Sequence, residues 1–224
     1  CRMMRDYPNG RTYIYHKMPN RLDAEEKSIM EGGTHWIDRF GEEGYGGGVV
    51  TGLYKKELLL KSGVKFPEKI LYEDNYWVAI LMLYVKRYFH LAEDLYHYRQ
   101  REDSTVHKKN AMHHVDRLAI EEMKLKTYHD LHIYERYREI IEQDFLREYY
   151  CRTLLTMLVK YDNSPYDVFC HMNRRVMELY PDYKKTELAQ NEGIGKILLG
   201  LIDRDLDEVQ FMEIKKIILS YYGR

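Results

Sequence analysis

The chain has 224 residues, 45% of them hydrophobic and 13% aromatic, which is enough apolar surface to build one or two folded domains. Lys and Arg number 35 against 36 Asp and Glu, so the net charge of -1 excludes an overall field that would attract nucleic acid or an anionic membrane. The longest apolar run, residues 78–85, is far shorter than the roughly 18 residues of a membrane-spanning helix, so any membrane contact is expected to be peripheral.

The cysteines indicate a reducing compartment. The chain has 3 of them, Cys1, Cys151 and Cys170, which is an odd number, and no two form a Cys-x-x-Cys pair. This pattern argues against both a disulfide framework and a zinc site. We therefore predict a cytoplasmic protein, with the inner face of the membrane as the place of any peripheral association.

The first half of the chain predicts a mixture of loops, strands and helices. Residues 1–48 are polar and glycine-rich, which predicts loops with at most one short helix near residues 23–30. The β-branched and aromatic run 49–54 predicts a strand, and residues 55–61 predict a short helix that Gly63 closes. Residues 73–86 are apolar nearly all round and predict a buried helix. Residues 87–91 and 95–99 alternate as strands do.

After Asn110 the hydrophobic period becomes helical. A drifting apolar stripe runs through residues 135–160, and breaks are expected at 162–165, 180–182 and 193–200. Ser164 is expected to cap a helix with Pro165 at its first position, and Asp207 with Gln210 forms an approximate capping box. We predict about five helices without a fixed repeat, which excludes a regular solenoid.

Two groups of polar residues flank the buried helix. Glu73 and Asp74 open it, and the strand after it leads into Arg99, Arg101 and Ser104. In an arbitrary protein the acidic pair would only complement the positive end of the helix dipole, and the arginines would form a solvated strand edge. Because alternate residues of a strand point the same way, Arg99 and Arg101 are expected to share a face, an arrangement suited to binding a diphosphate.

The Glu73-Asp74 pair together with the sequence Tyr-x-Tyr-Arg-x-Arg-x-x-Ser from Tyr96 to Ser104 resembles the C-terminal half of the catalytic domain of family 2 glycosyltransferases. The resemblance covers residues 46–110. It implies an α/β fold, part of a GT-A nucleotide-diphospho-sugar transferase domain, in residues 1–110, followed by an all-α C-terminal domain in residues 111–224. It also implies inverting transfer of a sugar from a nucleotide-diphosphate sugar to a hydroxyl of a bacterial cell-surface glycan or lipid-linked glycan.

The resemblance assigns roles to individual residues. Asp74 would be the general base on the acceptor hydroxyl, and Glu73 would orient the acceptor or the base. Arg99, Arg101 and Ser104 would contact the leaving diphosphate. The family also implies Mg²⁺ or Mn²⁺, for which His107 is a candidate ligand. Its main metal motif, Asp-x-Asp, is not found before residue 74, and the Asp-x-Asp within residues 203–207 is interpreted as a capping loop.

A chain that begins at Cys1 is interpreted as a fragment that lacks the donor-binding half and is inactive alone. The alternative hypothesis is a non-catalytic helical module, in which residues 111–224 bind a partner protein through an apolar groove. An exposed apolar stripe on the helices would favour this alternative, whereas convergence of Asp74 and Arg99 on one concave site would favour the enzyme. Self-association into a homo-oligomer is open under both hypotheses.

Overall fold

The computed structural model describes residues 2–14, 29–31, 49–89, 93–101 and 104–221. The fold is mostly helical with two small sheets. It divides into two units: Cys1–Lys69 with Glu73–His107, and Ile70–Tyr72 with Lys108–Arg224. The chain thus passes into the second unit after His107, close to the boundary expected at residue 110, but Ile70–Tyr72 also belongs to the second unit.

The strands of the first unit form two small sheets. Five strands occur in the described part of this unit: β1 Arg2–Asp6, β2 Thr12–Ile14, β3 Ile29–Glu31, β4 Arg87–Phe89 and β5 Asp94–Arg99. The larger sheet has the order β2-β1-β5, with β1 antiparallel to β2 and parallel to β5. The smaller sheet is the antiparallel pair of β3 and β4.

Strands β1, β2 and β3 correct the prediction of loops in residues 1–48. They are short, and their stability depends on pairing with β5 and β4, which lie far along the chain and leave little local hydrophobic signal. Ile29 and Met30, the end of the predicted short helix, are in β3. The remainder of that prediction, residues 23–28, lies outside the described residues.

The two helices of this unit follow the prediction. The first, α1, spans Lys56–Ser62 and ends at Gly63, whose φ of 67° is left-handed. The second, α2, spans Glu73–Met82, and all six residues from Trp77 to Met82 are buried. A helix that is apolar nearly all round is buried on every side, as the sequence predicted.

Residues 49–54 are not the predicted strand. Val49–Thr51 form a 3₁₀ turn, and Val49 and Tyr54 pack against the core around Trp77. A β-carbon on Gly52 would lie 2.5 Å from the Tyr54 ring, so a larger residue here would displace that ring from its place over the turn. Val49 and Tyr54 therefore reach the core from a compact turn, whereas Val50 and Leu53 are exposed.

The described residues of the second unit contain helices and turns only. Its helices are α3 Asp116–Asp130, α4 Arg138–Phe145, α5 Thr153–Lys160, α6 Tyr166–Leu179, α7 Glu187–Gln190, α8 Ile194–Leu199 and α9 Glu208–Tyr221. A π-helical segment, Leu146–Arg152, joins α4 to α5, so the apolar stripe predicted in residues 135–160 is one continuous helical rod after the 3₁₀ turn Glu135–Tyr137. Aromatic stacking fills the core, with ring centroids 4.3 Å apart for Phe169 and Phe211.

The predicted break at 162–165 separates α5 from α6, and the predicted break at 180–182 follows α6, as expected; the other predictions of helix ends have mixed outcomes. Asp207 and Gln210 form a reciprocal capping box, with each backbone N–H donating to the other side chain at 3.0 and 2.8 Å. Ser164 does not cap α6, because its hydroxyl donates to the Met157 carbonyl at 3.0 Å. The break expected at 193–200 contains α8, whose Leu198 is buried.

Among the described residues, the helices all fall short of the length and apolar content that crossing a membrane requires.

Candidate functional site

Glu73 and Asp74 occupy the first turn of α2 in the first unit. Both side chains are partly exposed, whereas the helix is buried from Trp77 onward. The carboxylates are thus the accessible end of a helix that is otherwise enclosed in the core. Their negative charge is also favourable beside the unpaired N–H groups of the first turn.

The core beneath the acidic pair is aromatic. Trp77 stacks on Phe66 with ring centroids 4.6 Å apart and makes an edge contact with Tyr54 at 5.1 Å. Helix neighbours three and four positions apart lie on one face, so Trp77 is one turn below Glu73 and Asp74. This packing fixes the direction of α2 and with it the position of the two carboxylates.

Arg99 lies at the end of β5, and Arg101 lies beyond it. Side chains along β5 alternate between partly buried and exposed, and Arg99 belongs to the exposed set. Because the strand ends at Arg99, the strand rule that placed Arg101 on the same face does not extend to it. Both arginines are exposed.

A turn after the strand carries the remaining predicted site residues. The Ser104 N–H donates to the Arg101 carbonyl at 3.2 Å, and the His107 N–H donates to the Ser104 carbonyl at 2.8 Å. Ser104 is partly buried, and His107 is exposed at the end of the 3₁₀ turn Thr105–His107. The backbone bonds therefore connect Arg101, Ser104 and His107 in one compact segment.

The structure adds a polar cluster that the sequence did not predict. Asp6 at the end of β1 pairs in register with Arg99, and its carboxylate contacts the His97 imidazole at 3.0 Å and accepts a hydrogen bond from the Thr12 hydroxyl at 3.0 Å. Desolvation acts to raise the pKa of Asp6, but the hydrogen bonds from Thr12 and His97 and the charges of His97 and Arg99 outweigh it and lower the pKa. Arg99 therefore has an anionic neighbour that remains charged.

The two predicted groups are not linked by direct contacts in the described part of the chain. No hydrogen bond or ion pair there joins Glu73 or Asp74 to Arg99 or Arg101. Their convergence on one substrate stays a prediction.

The described residues do not supply a metal site. Among them, no group of three or more His, Cys, Asp or Glu side chains is placed to hold a metal ion. Divalent cations such as Mg²⁺ bind several oxygen ligands, and the exposed imidazole of His107 offers one nitrogen. The Mg²⁺ or Mn²⁺ that the resemblance implies therefore has no fitting donor set among the residues that the structure describes.

Comparison with known proteins leaves the family open. No protein-family model matches the sequence, and no curated protein or solved structure matches it.

Proposed function

We propose that the first unit carries the acceptor-side base and the leaving-group contacts of an inverting glycosyltransferase of family 2. The substrates would be a nucleotide-diphosphate sugar and a hydroxyl of a cell-surface glycan, used on the cytoplasmic side. The observation that carries the proposal is the acidic pair Glu73-Asp74, presented at the accessible end of a helix whose other turns are buried. The sequence motif from Tyr96 to Ser104 supports it.

The chemistry assigned to these residues is a single displacement at the anomeric carbon. The acceptor oxygen attacks, and Asp74 takes its proton as the new bond forms. The bond from the anomeric carbon to the diphosphate oxygen breaks, and both electrons of that bond leave with the nucleoside diphosphate. Arg99, Arg101 and the Ser104 hydroxyl would stabilise the negative charge that grows there. No step is assigned to a metal ion.

Nucleotide binding tests the leaving-group assignment. In protein that binds UDP or GDP in calorimetric titrations, we expect Arg99→Ala or Arg101→Ala to weaken binding about tenfold, since each removes a charge-assisted contact of about 1.5 kcal/mol. Arg174→Ala is the matched control, because Arg174 is an exposed arginine of the second unit. Equal losses in all three variants would show a nonspecific charge effect and reject the assignment.

Transfer tests the assigned base. With a donor panel in protein that shows measurable transfer, Asp74→Asn is expected to lower the rate about 10²–10⁴-fold and to leave nucleotide binding unchanged. Asp167→Asn is the control, because Asp167 is likewise the second residue of a helix, α6. Wild-type turnover in Asp74→Asn would remove this residue from the mechanism.

One observation favours the second candidate, a helical interaction module. In α9, Val209 and Ile217 are 68% and 66% exposed, eight positions apart and thus on neighbouring parts of the helix surface. Self-association in sedimentation velocity that is lost in Val209→Ser and Ile217→Ser, with nucleotide binding unaffected by Arg99→Ala and Arg101→Ala, would make this module the leading interpretation.

A further inference from the structure

The second unit contains a buried charged cluster that the proposed transfer does not use. Lys124 of α3 donates to the Glu121 carboxylate at 2.8 Å and to the Asp144 carboxylate of α4 at 2.9 Å. The three side chains are between 2% and 8% exposed. Ionised groups in such surroundings are costly unless each charge is matched.

The charges of this cluster are not fully paired, because two carboxylates share one ammonium group. Glu121 Oε1 and Asp144 Oδ1 are buried, and neither has a hydrogen-bond partner among the described residues. Asp144 has a second cation nearby, because Arg147 lies 3.8 Å from Oδ1. Glu121 shares Lys124 and has no comparable second ion pair in the described part of the chain. Of the two carboxylates, Glu121 is therefore the one on which a proton relieves the imbalance.

The other charged groups around Glu121 do not remove this imbalance. On α3 itself, Arg117 is near enough to Glu121 to interact with it electrostatically, but no ion pair joins the two among the described residues, and its guanidinium lies 4.3 Å over the Tyr72 ring. Glu148 of the π-helical segment adds a negative charge and pairs with Arg152 at 3.1 Å. Arg175 of α6 pairs with the adjacent Glu122 at 2.6 Å.

The 3₁₀ turn Met112–Val115 also packs on α3, and it contributes His114. Burial lowers the pKa of His114, so this imidazole is neutral near pH 7 and adds no cation.

We propose that the Glu121–Lys124–Asp144 cluster binds one proton, held on Glu121, and that loss of this proton loosens the packing of α3 against α4 and the π-helical segment. When Glu121 is protonated, its Oε2 still accepts from Lys124, and the ammonium then faces one carboxylate, that of Asp144. Deprotonated Glu121 leaves two buried carboxylates at the same ammonium. The helix pair is thereby sensitive to pH in the physiological range.

The sign of the pH effect follows from burial. Desolvation raises the pKa of Glu121 to about 7 despite the opposing charge of Lys124. The folded protein therefore keeps the proton at pH values where the unfolded chain has released it. Stability is then lost as pH rises from about 4.5, the ordinary pKa, to about 7, and changes little above that value.

The test compares melting temperatures across pH. For the wild-type chain we expect the melting temperature to fall by about 5 °C between pH 5 and pH 8 because of Glu121. This fall should be absent in Glu121→Gln, whose amide keeps the shape of the side chain and carries no charge. Asp130→Asn is the matched control, because Asp130 is an exposed carboxylate on the same helix, paired with Lys126. It should follow the wild-type curve.

A second measurement tests the proton directly and does not depend on folding of a variant. The ¹³C signal of the Glu121 carboxyl in the wild-type chain should titrate near pH 7. Above that midpoint, the exchange rates of amides in α3 and in the π-helical segment should rise by more than the pH dependence of intrinsic exchange accounts for. Titration near 4.5, or a Glu121→Gln curve parallel to the wild-type curve, would overturn the proposal.

Discussion

At Lys124 a buried ammonium group lies between two carboxylates, with 4% of the residue exposed. Replacing it with Met keeps much of the side-chain volume but leaves Glu121 and Asp144 facing each other without that cation. Removing one partner of a buried ion pair typically lowers the free energy of unfolding by about 3–5 kcal/mol. We expect a loss of this size for Lys124→Met in urea denaturation at pH 8, and a smaller loss at pH 6, where Glu121 holds its proton.

Lys126 is the control for this prediction. It lies two positions along the same helix and pairs with Asp130, but its side chain is 75% exposed. Exposed pairs four residues apart contribute about 0.3–0.5 kcal/mol, so Lys126→Met should be nearly neutral. A Lys124→Met loss as small as that of Lys126→Met would show that water or a compensating proton neutralises the cluster.

Individual site residues differ in how far the sequence reveals them. Glu73 and Asp74 are predictable because a helix start is a local signal, and the structure places both in the first turn of α2. The contact of Asp6 with His97 spans 91 positions and depends on parallel pairing of β1 with β5, which no local pattern encodes. The sequence likewise does not reveal that Lys124 pairs with Asp144, because a buried ion pair has the same residue types as a solvated helix face.

Gly63 shows how a single residue ends an element. It closes α1 with a φ of 67°, and a β-carbon placed there would have no neighbour within 4 Å. The only penalty for Gly63→Ala is therefore backbone strain in the left-handed region, which is about 1 kcal/mol. We expect Gly63→Ala to lower the midpoint of thermal unfolding of the first unit. Hydrogen exchange of peptides from α1 and α2 measures that midpoint.

Gly63→Asn separates strain from volume. Asparagine is larger than alanine but tolerates the left-handed region better. It should therefore destabilise less than Gly63→Ala. The opposite order would indicate that space, rather than φ, limits this position.

The elements also show where periodicity is sufficient and where it is not. Helix α2 was predictable because it is apolar nearly all round, and the rod from Arg138 to Lys160 because its apolar positions repeat over many turns. Of the β-branched residues in the run at 49–54, Val49 packs against the core around Trp77 from a turn, without a partner strand, whereas Val50 is 47% exposed. The π-helical segment Leu146–Arg152 was not predicted, because one wider turn hardly alters the apolar period.

On the scale of the whole molecule, each unit has its own aromatic anchor. In the first unit Phe66 stacks on Trp77 at 4.6 Å. In the second, the Tyr72 ring lies under the Arg117 guanidinium at 4.3 Å, and the Leu71 N–H donates to the Asp116 carboxylate at 3.0 Å. Ile70–Tyr72 thus belongs to the helical unit by specific contacts, although it precedes α2 in the chain.

Hydrogen exchange of the full chain can test whether each anchor stabilises its own unit. Tyr72→Ala removes a cation–π contact of about 1 kcal/mol, so amides of α3 and α5 should exchange about fivefold faster while those of α2 keep the wild-type rate. Phe66→Ala removes an aromatic pair of similar strength and should have the reverse pattern, which makes each variant the control for the other. If either substitution accelerated exchange in both units alike, the two cores would unfold as one cooperative body, and the separate stabilising roles of Tyr72 and Phe66 would be wrong.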